Sequence, residues 1–124
     1  MYYKLANAAA KWWIEQIKNQ CQRISPEIIS GYGSNIKVLD KTLVEKLGVF
    51  EELLRNKILE HLKTYDYFHI GCCYYPNNLL IELAEKANLS TSYFPMHAQL
   101  TIAKNSIYVS VGYEEQYKLN IDCV

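Results

Sequence analysis

The side chains in this chain with the most chemistry to offer are four cysteines and three histidines, and their spacing decides how much of it can be used. Cys72 and Cys73 are adjacent, and His69 lies four residues before Cys73. A thiol becomes a nucleophile when an imidazole takes its proton, so this grouping invites a thiol-enzyme reading, a hydrolase or a transferase. On a strand, successive side chains point to opposite faces, which sets Cys73 on the face of His69 and turns Cys72 inward. Four residues of strand span about 13 Å, too far for His69 to act directly on Cys73. Only His97, from a second strand, could do so, and that requires one particular strand order. Cysteine inside a strand is more often a small core hydrophobe. No catalytic residue is therefore assigned, and a thiol enzyme using Cys73 and His97 stands as an alternative.

Other constellations fall short. His61 lies on the apolar stripe of a helix, and neither His-x-x-x-His nor a carboxylate cluster with Asp66 accompanies it, so no metal site is expected. Gly31-Tyr32-Gly33 lacks the later glycine and the Lys-Ser/Thr pair of a phosphate loop and reads as a turn. Glu114 and Glu115 are sequence neighbours with no partner acid at glycosidase spacing. No cofactor is implied.

The elements that must position these residues follow from periodicity. Ala6, Ala10, Trp13, Ile17 and Cys21 recur at helical spacing, with Lys4, Lys11, Glu15 and Lys18 opposite, which predicts a helix over residues 3–22. Residues 25–38 concentrate turn formers and read as a long connection. Asp40, and Thr42 with Glu45 as a capping box, introduce a second helix reaching about residue 64, with Leu43, Leu47, Phe50, Leu54, Ile58 and Leu62 as its buried stripe. Gly48 inside it suggests a kink or a close helix crossing.

Tyr67 to Tyr74 predicts a strand with Phe68, Ile70, Cys72 and Tyr74 on one face. Pro76 suits the first turn of a short third helix, which Asn88-Leu89 closes with a left-handed cap and its hydrophobic contact. Met96, Ala98, Leu100 and Ile102 alternate with polar residues, as do Ile107, Val109 and Val111, around a tight turn at Lys104-Asn105. The expected fold is α+β, three helices packed on a small, mainly antiparallel sheet in the order α-α-β-α-β-β, forming one domain over residues 1–124.

Composition narrows the function. Lys+Arg and Asp+Glu both number 13, so no net charge draws the chain to nucleic acid or to anionic lipid. Direct nucleic-acid binding is not expected. Residues 1–64 carry 10 basic and 7 acidic side chains and residues 65–124 carry 3 and 6, a mild dipole of +3 against −3. Charges interrupt every apolar window near the N-terminus, so neither a signal peptide nor a membrane segment is expected. The cysteine spacing fits no disulfide framework, and reduced thiols in a cytoplasm are expected.

Eleven tyrosines favour a contact surface, because tyrosine offers rigid amphipathic area at low entropic cost. At about 100° per residue Trp13 joins the Ala6/Ala10/Ile17 stripe, whereas Trp12 falls to one side with Leu5 and Ala9 and needs a second surface. That surface belongs either to the chain itself, the 25–38 connection for example, or to a partner. In the partner reading the binding residues are Trp12 and Leu5, joined by Tyr32, Tyr108 and Tyr113. A homodimer is also compatible.

The segment Lys4-Leu5-Ala6-Asn7-Ala8-Ala9-Ala10-Lys11-Trp12-Trp13 resembles the opening of small proteins carried by phages and mobile elements of low-GC Gram-positive bacteria. The similarity extends to Pro76 and the helix after it, to Phe94-Pro95 and to Val109-Ser110-Val111-Gly112-Tyr113, about half the chain in scattered blocks, with Met96-His97 departing from the pattern. The resemblance implies no catalytic residue. It implies a non-enzymatic inhibitor acting by protein–protein contact on a host protein in the host cytoplasm, with a defence nuclease such as a CRISPR effector as one target class. A third reading is a sponge for a nucleotide-like ligand, enclosed by tyrosines and the 25–38 connection.

Truncation of the tryptophans separates the two roles of Trp12. As a partner anchor, Trp12→Ala leaves thermal stability nearly unchanged and weakens a complex by about 2 kcal/mol or more. As a core residue it costs roughly 3–5 kcal/mol of folding stability, the outcome expected of Trp13→Ala under either account.

Overall fold

Alanine is the residue that lets two helices approach closely, and the first helix of this chain buries four of them, Ala6, Ala8, Ala9 and Ala10. The computed structural model describes residues 2–24 and 41–120, with side chains for 2–20 and 41–120. Its elements in chain order are α1 (Tyr2–Ile24), α2 (Lys41–Leu62), β1 (Tyr67–Cys73), β2 (Tyr75–Pro76), α3 (Asn78–Lys86), a 3-10 turn (Thr91–Tyr93), β3 (His97–Ala103), β4 (Ser106–Val111) and β5 (Tyr117–Leu119). The three-helix α+β architecture and the predicted order of its main elements are present. The short strands β2 and β5 are additions that the sequence pattern did not signal.

Helix α1 packs along α2 on one side and against β3 and β4 on the other. It is buried over an arc of about 240°, at ~100° per residue, which is why Leu5, Ala9 and Trp12 are covered as well as the Ala6/Ala10/Trp13/Ile17 stripe. Lys4, Lys11 and Glu15 remain exposed on the narrow face left over. In α2 the predicted residues Leu47, Phe50, Leu54, Ile58 and Leu62 are buried, with Leu43 partly covered. Gly48 does not mark a helix crossing: it is exposed, and a Cβ there would meet nothing within 4 Å. Helix α2 begins at Lys41, so Thr42 sits inside the first turn and not at the cap, while Asp40 lies outside the described residues.

The five strands form one antiparallel sheet in the order β2-β1-β3-β4-β5. Its inner face, bearing Phe68, Ile70, Cys72, Ala98, Leu100, Ile102, Ile107 and Val109, is buried beneath the helices. The β3–β4 turn at Lys104-Asn105 has φ of 52° and 63°, the two positive values of a type I′ hairpin, whose twist suits the flanking strands. Pro76 is not the first helical residue expected: it pairs with Cys72 on the edge strand β2, where a missing N–H is tolerated. Asn77 caps α3 instead, its Oδ1 accepting from the Leu80 N–H at 3.2 Å. Asn88 is left-handed at φ 56° and the Leu89 N–H reaches back to the Ala84 carbonyl at 2.9 Å, with Leu89 buried, as its cap pattern predicts.

Trp12 is 8% exposed, its ring 5.7 Å from that of fully buried Trp13. The chain itself is the surface that covers it. Trp12→Ala is therefore expected to cost roughly 3–5 kcal/mol, comparable to Trp13→Ala, in chemical denaturation. A Trp12→Ala melt superimposable on the parent's would contradict this packing.

Candidate functional site

The outer face of the sheet carries the polar chemistry, and strand register arranges it in rows. Cys73 stands opposite His97, Gly71 opposite Gln99 and then Ser110, and His69 opposite Thr101, Tyr108 and Lys118. The strand order that the thiol reading requires, with β1 directly beside β3, is present. The Tyr74 N–H donates to the Met96 carbonyl at 2.7 Å, which makes Cys73 and His97 a non-hydrogen-bonded pair of the ladder. Such pairs are the narrow ones, with Cα atoms about 4.5 Å apart and side chains close together.

Two tyrosines hold the His97 ring. Tyr74 meets it edge-on at a centroid distance of 4.6 Å and 74°, and Tyr113 lies tilted at 4.8 Å with its hydroxyl 3.2 Å from Nε2. The Tyr113 phenol is held above its ordinary pKa, first by its hydrogen bond with Tyr74, then by desolvation and by the charge of a nearby Cys73 thiolate. In the contact between Tyr113 and His97 either the phenol O–H or the Nε2–H can donate, according to the tautomer of the ring.

Two backbone features build this end of the sheet. Tyr74 has φ of 68°, a left-handed conformation that is costly for a bulky side chain, and it is the single residue between β1 and the antiparallel β2. Reversal there throws its ring outward, so Tyr74 does not continue the inner row of Phe68, Ile70 and Cys72 as the alternation predicted. Gly112, at φ 62°, ends β4 and donates to the His97 carbonyl at 2.8 Å, delivering Tyr113 beside His97. Met96, also expected inward, precedes β3 and is 56% exposed.

Beside the thiol lies a shallow cleft of about 270 Å³, lined by His69, Gly71, Cys72, Cys73, Tyr75, Asn77 and Gln99. Gly71 keeps it open, since a Cβ there would stand 3.2 Å from Gln99 Cγ and 3.3 Å from the Ala98 carbonyl oxygen. His69 Nδ1 and Thr101 Oγ1 are 2.8 Å apart, and burial lowers the His69 pKa, favouring the neutral ring. Cys73 is exposed, whereas Cys72 is buried and its thiol is pushed up to about 12 by desolvation. Among the described residues no group of three or more His, Cys, Asp or Glu side chains is placed to hold a metal ion.

The residues expected at a partner surface separate. Leu5 and Trp12 are in the core, a correction that follows from the wide buried arc of α1. Tyr108 is half-buried on the outer face, two rows from His97, and Tyr113 is 86% exposed beside it. Tyr32 lies outside the described residues, as does the 25–38 connection on which the ligand-sponge reading relies. Tyr74, Tyr75 and Met96 were missed, because period-two alternation carries no sign of a reversal at a non-glycine residue. The class defined is an antiparallel sheet with helices on one face and an open aromatic end. Comparison with protein-family models, curated proteins and solved structures gives no match.

Burial of Cys72 has a pH consequence. Its pKa rises from 9.0 to about 12, so the folded state keeps a proton that the unfolded chain releases. The resulting stability is fully present below pH 9 and is lost as pH rises toward 12. Other groups titrate there too, so Cys72→Ala isolates the effect: denaturation curves across that range are expected to show a shallower loss of stability with pH than the parent's. An unchanged slope would count against a buried Cys72 thiol.

Proposed function

We propose that this protein is a non-enzymatic binding protein that acts by stoichiometric contact with a host protein through the aromatic end of its sheet. The observation that carries the reading is the exposed group Tyr74, Tyr75, Met96 and Tyr113, at 59%, 82%, 56% and 86% exposure, set around the half-buried His97. Large aromatic side chains left in water on ordered backbone are the usual anchors of protein interfaces, since their contact area is gained at small entropic cost. Exposed Glu114 and Glu115 follow Tyr113 and give the patch an acidic rim. An aromatic surface with an acidic rim complements a basic one.

That complementarity agrees with the target class implied by the resemblance to phage and mobile-element proteins, a host defence nuclease, whose nucleic-acid channel is necessarily basic. No helix among the described residues is long and apolar enough to cross a membrane. The acidic rim also disfavours direct nucleic-acid contact by this face.

The test uses tagged protein and host lysate, with Tyr75→Ala and Tyr113→Ala run beside the parent. Both side chains are exposed, so both variants are expected to melt with the parent and to lose the recovered partner, each weakening the complex by about 2 kcal/mol or more. Recovery of the same protein in equal yield by the parent and by both variants would show that this face is not the contact surface.

A further inference from the structure

The edge of an open sheet carries main-chain donors and acceptors without strand partners, and folded proteins usually blunt it with a charge, a proline or a very short strand. These devices guard most of the two edges here. On one side β5 is three residues long and carries Lys118, and beyond its pairing the Val111 carbonyl accepts from the Glu114 N–H at 3.2 Å. On the other side β2, with Pro76, covers only Cys72 and Cys73 of β1. The stretch Tyr67–Ile70 of β1 has no acidic or basic residue, no proline and no bulge, and among the described residues no strand pairs with it on that side.

The hydrogen bonds of β1 show which groups face this open lane. The Tyr74 N–H bonds toward β3, to the Met96 carbonyl, whereas the Gly71 carbonyl is turned the other way and accepts from the Asn77 N–H at 3.1 Å. Main-chain groups alternate in direction along an antiparallel strand, so those of Tyr67 and His69 point outward as Gly71 does. Among the described residues they have no main-chain partner. The His69 ring bonds to Thr101 on β3, at 2.8 Å, and so leans away from the lane.

The surroundings select the occupant. Only four residues separate α2 from β1, and Asn77 alone separates β2 from α3. A second copy pairing through the same edge would bring its own α2 and α3 up against the helices already attached there, whereas a free extended segment brings only itself. At the Gly71 end the lane opens on the cleft of about 270 Å³, where His69, Asn77 and Gln99 present polar groups and no carboxylate, lysine or arginine takes part in the lining. We propose that this edge of β1 is a second docking surface, which takes an extended, uncharged segment of a partner protein as a sixth strand, with one polar side chain of that segment in the cleft beside Gly71. Main-chain hydrogen bonds to Tyr67 and His69 give the attachment, and the cleft gives the selectivity. The surface does not depend on the aromatic end being a contact surface.

The test selects random linear heptapeptides on the immobilised parent and titrates the enriched, synthesised peptides by fluorescence polarisation. N-methylation of one peptide amide at a time is expected to weaken binding about tenfold or more at every second position and little at those between, since only alternate amides of an added strand face β1. His69→Pro removes an outward N–H at an edge position that tolerates proline, so it is expected to melt near the parent and to bind the same peptides about tenfold or more weakly. Tyr113→Ala is expected to bind them as the parent does. If His69→Pro does not fold, the N-methyl series on the parent decides alone. No enrichment over blank support, N-methyl sensitivity without alternation, or undiminished binding by folded His69→Pro would each overturn the proposal. A concentration-dependent dimer of the parent that His69→Pro abolishes would overturn it as well, by giving the edge to a second copy.

Discussion

The inner face of the sheet is almost wholly aliphatic and aromatic, and it can exist only if something apolar lies across it; helices α1 and α2, packed on each other, are that cover, α1 against β3 and β4 and α2 against β1. This layering asks α1 to be apolar over most of its circumference, unlike a surface helix with one narrow stripe. Its alanines meet that demand while keeping the helix thin, and Trp12, Trp13 and Ile17 fill the volume on either side. With one face of β1 and β3 so committed, a one-residue slip in their pairing would turn Phe68, Ile70, Leu100 and Ile102 into water. The register that sets Cys73 opposite His97 is thus enforced from the other side of the sheet, by burial.

Among the described residues no helix gives the outer face such cover, and its polar rows reflect this. What distinguishes its Cys73 end is the cost accepted there. Tyr74 adopts a left-handed backbone with a bulky side chain, which folded proteins keep only where surrounding contacts over-determine it. Here those contacts are the pairing of Cys73 with Tyr75 and of Cys72 with Pro76, together with the Tyr74 N–H bonded to Met96. Strain, exposed aromatic rings and an oriented imidazole coincide within a few residues, which is the physical basis for reading function at this end of the sheet and not at the depression near Asp66 and Lys104, at the other end.

Tyr113 and His97, 16 residues apart in the chain, are hydrogen-bonded neighbours at this end of the sheet.

The periodicities of α1, α2 and the β3–β4 hairpin were legible because each buries one regular face, and a buried face must repeat with the period of its backbone. The I′ turn at Lys104-Asn105 and the cap at Asn88 were equally readable, since local φ preferences act within a few residues. The sequence by itself also determined that Cys73 and not Cys72 would face outward, a consequence of alternation alone. Only the tertiary structure decided that β1 lies against β3, that Trp12 and Leu5 are enclosed, and that Tyr74 and Tyr113 meet at His97. Strand order, the width of a helix's buried arc and a reversal at a non-glycine residue all depend on contacts between segments far apart in the chain, and local patterns of side chains carry no record of them.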